Sequence, residues 1–141
     1  MAKKFKTYSF ANANAIFGTI EFEEFAEGDD VMSIEFAENQ FNKTVGAKGD
    51  VIRTQTNDNS CTVTVKLMQT SNTNKLLTAI YNGDVESGSG ILPFIFNDKE
   101  TGETFVVTNA WISKYPIVNR GQAAGTMEWN FEGDKLVPFI A

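Results

Sequence analysis

Histidine is absent from this sequence, and cysteine occurs once, at position 61. Without imidazole the chain lacks the commonest general base and metal ligand, and one thiol builds neither a zinc cluster nor an internal disulfide. Ser-His and Cys-His catalysis and zinc chemistry are therefore set aside, and no metal or other cofactor is expected. The adjacent carboxylates Glu23-Glu24 and Asp29-Asp30 do not fill the gap. Neighbours on a strand point to opposite faces, and Asp29-Asp30 follows Gly28 in a turn pattern, so both pairs read as solvated surface. Gly46-Ala47-Lys48-Gly49-Asp50 holds the ingredients of a phosphate loop in the wrong order, and Asn57-Asp58-Asn59 lacks the glycine and distal glutamate of a calcium loop. The chain reads as a protein without catalytic residues.

Proline is scarce as well: the 3 prolines are scattered, and no repeat or Pro/Gly-rich linker divides the sequence. Residues 1–141 read as a single domain. A chain of this size buries roughly 68–70% of its unfolded surface and needs no disulfide or metal staple. Long apolar runs are missing, and Met1-Ala2-Lys3-Lys4-Phe5-Lys6 has basic residues with no apolar segment behind them. Neither a membrane span nor a secretory signal is expected, so the chain is expected to begin here and to be made in the cytoplasm. The sequon Asn42-Lys43-Thr44 would then never meet glycosylating enzymes. Cations are the minority charge, 12 against 18 carboxylates for a net −6. That balance removes the counterion-release affinity of a conventional DNA-binding domain, while an acidic wall repels phosphates.

What is present is apolar and aromatic: 42% of residues are hydrophobic and 12 are Phe, enough for a packed core. The most informative stretch begins at Cys61. Cys61, Val63, Val65 and Leu67 alternate with Thr62, Thr64 and Lys66, the period of a half-buried strand, which also makes Cys61 a buried, inert thiol. After Thr70-Ser71-Asn72-Thr73, a source of N-cap side chains, Leu76, Leu77, Ile80 and Tyr81 recur at helical spacing, with Gly83 as the stop. Further strands are expected over residues 15–25, 31–37, 41–45, 51–55, 91–96, 104–117 and 126–132. The turn-rich Asn97–Glu103 segment joins two of them as a hairpin, and Pro93 marks a strand entrance. Many short strands with one helix predict an all-β sandwich or barrel.

Two surfaces stand out. Residues 38–60 are polar but punctuated by Phe41, Val45, Val51 and Ile52, the composition of either a solvated hairpin or an arm that reaches another subunit. Ile20, Phe22, Ile34, Phe36, Met127, Trp129 and Phe131 alternate with polar residues, many of them acidic, so each strand pairs an apolar face with a polar one. In an isolated sandwich this is inside and outside; in a closed ring the polar face lines a channel. A competing reading is a monomeric β-sandwich that binds a carbohydrate or small molecule through Trp111, Tyr115 and Trp129. Trp129 alternates with Met127 and Phe131 and so reads as core, and Trp111 lies between Ala110 and Ile112 with no clear face.

Thr62-Val63-Thr64-Val65-Lys66-Leu67 running into Thr70-Ser71-Asn72-Thr73-Asn74 resembles the core of the tail tube proteins of contractile-tailed phages. Tyr8-Ser9-Phe10, the Val45–Val51 segment and Met127-Glu128-Trp129-Asn130-Phe131 stand in the same order as in that family, so the resemblance covers most of the chain. Asn72 stands where a proline is often found, and Asn119–Gly125 is a longer polar run. The resemblance implies a homo-hexameric ring, stacked into a hollow tube, in which each subunit lends strands to a ring-wide β-barrel. It implies sheath, baseplate and tail terminator proteins as partners, a tape-measure protein in the lumen, DNA passing without specific binding, and a place in the virion tail. The inner tube of a bacteriocin or bacterial injection system is the related alternative. Within that scheme residues 38–60 form an inter-ring arm carrying Asn42, Lys43, Lys48, Asp50 and Arg53. The lumen-facing candidates are Glu21, Glu23, Glu35, Thr62, Thr64, Lys66, Glu128, Asn130 and Glu132.

Overall fold

A computed structural model describes residues 7–28 and 30–140. The Asp29 half of the Asp29-Asp30 turn lies outside them. A single 3-10 turn, Phe10–Asn12, leads into β1 (Ala13–Phe17), β2 (Ile20–Glu21), β3 (Met32–Phe36), β4 (Phe41–Val45), β5 (Val51–Gln55) and β6 (Cys61–Met68). The helix α1 (Asn72–Ser87) follows, then β7 (Leu92–Asp98), β8 (Glu103–Lys114), β9 (Thr126–Gly133) and β10 (Leu136–Ile140). One antiparallel sheet runs β2-β1-β7-β8-β9-β6-β3, with β10 added on β8, and β4 and β5 make a separate two-stranded sheet. The end strands β2 and β3 are not paired with one another among the described residues, so the sheet is not closed into a barrel. The fold is all-β with one α-helix, as its sequence predicts.

The β6–β9 pair sets the core. Val63 lies opposite Phe131, Val65 opposite Trp129 and Leu67 opposite Met127, and all six are buried. The sheet folds over this pair, because Phe131 of β9 meets Phe17 of β1 at 5.0 Å and Phe94 of β7 at 5.5 Å between ring centroids. Offset and tilted rings at such distances contribute about 0.5–1.5 kcal/mol beyond their burial. The bend is made within β8, whose first half pairs with β7 and β10 and whose second half pairs with β9. At that corner the Asp134 carboxylate accepts from the Asn109 amide N–H at 3.1 Å and from Asn109 Nδ2 at 2.9 Å, which lowers the Asp134 pKa.

The helix seals the end of the core, and its start is built from side chains. Ser71 Oγ accepts from the Thr73 N–H at 3.2 Å, a capping bond, and donates to the Glu23 carbonyl at 2.7 Å. Thr73 Oγ1 accepts from the Glu23 N–H at 3.1 Å. Asn74 donates through Nδ2 to the Met68 carbonyl and accepts through Oδ1 from Trp129 Nε1–H at 2.8 Å, satisfying the polar handle of a fully buried Trp. Leu77 is fully buried, with Ile80 and Tyr81 packed against the core beside it.

Three sequence expectations are corrected. Residues 15–25 are not one strand, because Gly18 adopts φ 64° and turns β1 back onto a two-residue β2. The helix does not stop at Gly83 but runs a turn further, to a left-handed C-cap at Gly88 whose N–H reaches the Asp84 carbonyl at 2.8 Å. A Gly inside a helix costs about 1 kcal/mol, which tertiary packing overrides. A last strand, β10, was not expected; it pairs with β8 across Leu136 and Val107.

Gly133 must be glycine for a packing reason. A Cβ there would lie 2.2 Å from Val107 Cγ1 and 2.9 Å from Cys61 Sγ. Gly133→Ala is expected to destabilise the fold by about 2–3 kcal/mol, the scale of core overpacking, read as a lower midpoint in urea unfolding. Cys61 is 2% exposed, and burial, with the Asp134 charge adding to it, raises its thiol pKa. A thiol reagent at pH 8 is therefore expected to leave the native protein unlabelled and to titrate one thiol after denaturation; rapid native labelling would contradict the buried position.

Candidate functional site

The strand alternation that buries Val63 and Trp129 turns the intervening residues to the opposite face. There Thr62 lies opposite Glu132, Thr64 opposite Asn130 and Lys66 opposite Glu128 on the β6–β9 ladder. β3 extends this face with Glu35 opposite Thr62, and β8 with Trp111 opposite Glu132. Seven of the nine lumen candidates thus share one four-stranded polar face: Glu35, Thr62, Thr64, Lys66, Glu128, Asn130 and Glu132. Ser33 opposite Thr64, Trp111, and Lys114 opposite Asn130 complete it. Ser33 was not among the candidates although it alternates with Ile34 in the sequence, and Trp111 and Lys114 were missed because cross-strand register is their only signal.

The other two candidates sit elsewhere. Glu21 pairs with Ile16 at the far end of the sheet, and Glu23 lies beyond β2, its backbone engaged by Ser71 and Thr73. The polar face carries three carboxylates, Glu35, Glu128 and Glu132, against the ammonium groups of Lys66 and Lys114. Its excess of negative charge is small. Lys66 and Glu128, directly opposite, make an oppositely charged pair of the kind that contributes about 0.2–1 kcal/mol. Thr64 Oγ1 and Asn130 Oδ1 are 3.3 Å apart.

The β4–β5 hairpin is the second surface. Every residue of both strands is exposed, and Phe41, Val45, Val51 and Ile52 show 45–67% of their surface to solvent. Its base is firmly tied. Gln40 Nε2 donates to the Asp58 carbonyl at 2.7 Å, Thr56 Oγ1 to the Asn39 carbonyl at 2.7 Å, and the Ala37 N–H to the Ser60 carbonyl at 3.0 Å. The Asp58 carboxylate accepts from both the N–H and the Oγ of Ser60, which lowers its pKa. At the tip, Gly46 and Asp50 close the turn, with Gly49 at φ 94°. Lys43 and Arg53 are directly opposite one another, and Arg53 stacks over Phe41 at 4.3 Å from the ring centroid. Asn42 points to the other face, opposite Thr54, while Lys48 and Asp50 belong to the turn.

The aromatics of the carbohydrate reading are not gathered on one surface. Trp129 is fully buried and hydrogen-bonded to Asn74, and Tyr115 packs edge-on against it at 5.2 Å. Trp111 lies on the opposite face of the sheet, in the Glu132 row. Among the described residues no group of three or more Cys, Asp or Glu side chains is placed to hold a metal ion, and no helix is long and apolar enough to cross a membrane.

Comparison with known proteins matches this geometry to one architecture. The chain resembles the cap that terminates the tube of the anti-feeding prophage, with a TM-score of 0.65 at 10% identity over 100% of this chain and 95% of that one. It resembles the sheath/tube terminator of PVC, an extracellular contractile injection system, with a TM-score of 0.65 at 11% identity over 98% of this chain and 99% of that one. A chain of the PVC sheath-tube complex gives 0.64 at 11% identity, covering 96% and 93%. At these identities the likeness establishes the fold. Among curated protein sequences nothing matches. The family model described as the bacteriophage PhiTE tail tube protein matches residues 5–137, nearly the whole chain, and the protein therefore belongs to that family of structural tail tube proteins, which is not an enzyme family.

Proposed function

We propose that this protein is the repeating subunit of the inner tail tube of a contractile-tailed phage, assembling as homo-hexameric rings stacked around a channel for DNA. Its work is assembly rather than catalysis. The observation that carries the reading is the β4–β5 hairpin: a firmly rooted, wholly exposed blade with four large apolar residues has no partner among the described residues. An isolated two-stranded hairpin is marginal in water, so burial against another copy is what gives it a defined place. Residues 38–60 are the inter-ring arm, on a single domain spanning residues 1–141, and Asn42, Lys43, Lys48, Asp50 and Arg53 carry its polar contacts. The unpaired ends of the sheet supply the ring contacts, since closing the sheet through neighbouring subunits removes edges that otherwise template uncontrolled pairing.

The polar face of β3, β6, β9 and β8 lines the channel in this reading. Hydroxyl, amide and carboxylate groups dominate it, and passing phosphates find few cations to hold them. Glu35, Thr62, Thr64, Lys66, Glu128, Asn130 and Glu132 are the lumen residues; Glu21 and Glu23 lie away from that face and are more peripheral. Sheath, baseplate and tail terminator proteins are the partners outside and at the ends, with a tape-measure protein within, and the assembled protein resides in the virion tail. The PVC structures that the chain resembles come from a contractile injection system, which supports the inner tube of such a system as the second reading. Genomic neighbours separate the two.

Electron microscopy of the purified chain tests the proposal, with rings or tubes expected and a monodisperse monomer at all concentrations counting against it. Loss of residues 43–57 is expected to leave a cooperatively folded subunit that no longer stacks. If that deletion unfolds the subunit, the hairpin is part of the folding unit rather than an arm. Replacing Glu128 and Glu132 by Lys is expected to make purified tubes retain DNA at low salt, with the retention falling steeply as salt rises. Wild-type and variant tubes that behave alike toward DNA would remove this face from the lumen.

A further inference from the structure

Two hairpins in this chain each place like charges directly opposite one another, and the two pairs have opposite signs. On the arm, Lys43 faces Arg53, with Val45 facing Val51 one row along the same side and Phe41 one row the other way. On the β7–β8 hairpin, Asp98 faces Glu103, with Phe96 facing Phe105 one row along the same side. Like charges directly opposite on a ladder are destabilising within a single copy. Within the subunit Arg53 stacks over the Phe41 ring and the Asp98 carboxylate accepts from the Glu100 N–H at 3.0 Å, and neither contact neutralises the like charge across the ladder. Each is a cross-strand charge pair beside apolar side chains, and each offers the other what it lacks.

One member of the acidic pair, Asp98, also borders an opening. Asp98 lines a cavity of about 290 Å³ together with Phe10, Met32, Ile34, Phe96 and Phe105, between the core faces of β3 and the β7–β8 hairpin. Of its walls, Met32, Ile34, Phe96 and Phe105 are partly buried apolar side chains packed against the core. In a chain of net charge −6, residues 41–55 are net basic, with Lys43, Lys48 and Arg53 against Asp50, as are residues 1–6 with Lys3, Lys4 and Lys6. The same residues expose Phe41, Val45, Val51 and Ile52. An apolar groove with an acidic rim matches an apolar blade with a cationic centre, in both polarity and charge.

We propose that the arm of one copy docks on the β7–β8 groove of another, its Lys43/Arg53 pair against Asp98/Glu103 and its apolar side chains against the Phe96–Phe105 wall. The proposal rests on the reading of residues 38–60 as an interface arm and adds where the arm lands. Because every strand residue of the arm is exposed in its own subunit, the groove it fills belongs to a second copy. The charge match sets register and partner choice, while the apolar contacts supply area. Docking then offsets two intrasubunit repulsions at once.

A charge swap on the full-length chain tests this, followed by negative-stain microscopy and by the amount of protein that sediments as tube. K43E/R53E is expected to lower tube yield at least tenfold with an unchanged circular dichroism melt, and D98K/E103K is expected to do the same. The four substitutions together are expected to restore tubes. D98N/E103Q, which relieves the repulsion without reversing it, is expected to be at least as stable as wild type, yet to stack less and with a flatter salt dependence. Wild-type tube yield from either K43E/R53E or D98N/E103Q overturns the docking. A folded four-fold variant that fails to stack overturns it as well, and recovery of its stacking by removing residues 1–6 would assign the groove to that basic segment of the same chain. A wild-type chain that never leaves the monomer overturns the tube reading and the docking with it, whereas tubes indifferent to these four charges overturn the docking alone.

Discussion

Everything else in this structure depends on the register of β6 against β9. With Val63 opposite Phe131 and Val65 opposite Trp129, one face of the pair is apolar and the other is polar except for Met68 at its end. A slip of one residue would exchange the faces, burying Lys66 and Glu128 and exposing Trp129, which no rearrangement nearby could offset. The register is also pinned from outside the sheet. Trp129 Nε1–H has its partner in Asn74 of α1, and losing it would leave a buried donor unsatisfied, at about 1–3 kcal/mol. The helix start thereby acts as a gauge for the strand pair, and the Ser71 and Thr73 bonds to Glu23 extend the same gauge to the β2–β3 connection.

From that register two consequences follow, one for the core and one for assembly. Phe131 reaches Phe17 and Phe94, so the sheet folds over itself and needs a corner. The corner is supplied by the two-part pairing of β8, the Asp134–Asn109 bonds and the missing side chain at Gly133. The polar face, meanwhile, is left continuous over four strands, and the outer edges of β2 and β3 have no partner strand among the described residues. A monomer gains nothing from an open sheet and an exposed apolar hairpin; a closed assembly uses both.

Much of this was legible beforehand where local chemistry decides structure. Alternation over Cys61–Met68 located β6 and its buried face, Ser71 among its polar neighbours marked the helix start, and the Asn97–Glu103 turn residues marked the β7–β8 hairpin. The polar-with-apolar composition of residues 38–60 set the β4–β5 hairpin apart from the rest, and its strand bounds were those read from the sequence. Reading failed where a distant contact outweighs a local preference. Gly18 turned an apparent long strand into a tight corner, packing carried the helix through Gly83, and β10 formed because β8 offered a free edge.

The sequence by itself determined the two-faced strands, the lack of histidine and of a second cysteine, the acidic charge balance and the family. Each of these lies in residue types and their spacing, and needs no knowledge of neighbours. Only the tertiary structure decided which polar residues stand together, because faces on different strands are joined by register, and register is set by the fit of buried side chains across the core. That is why Glu21 and Glu23, with the same alternation as Glu35, fall away from the shared face, and why Trp111 and Lys114 join it. It is also why the pairing of Asp98 with Glu103 beside an open apolar groove could not be read from residues 98 and 103 alone.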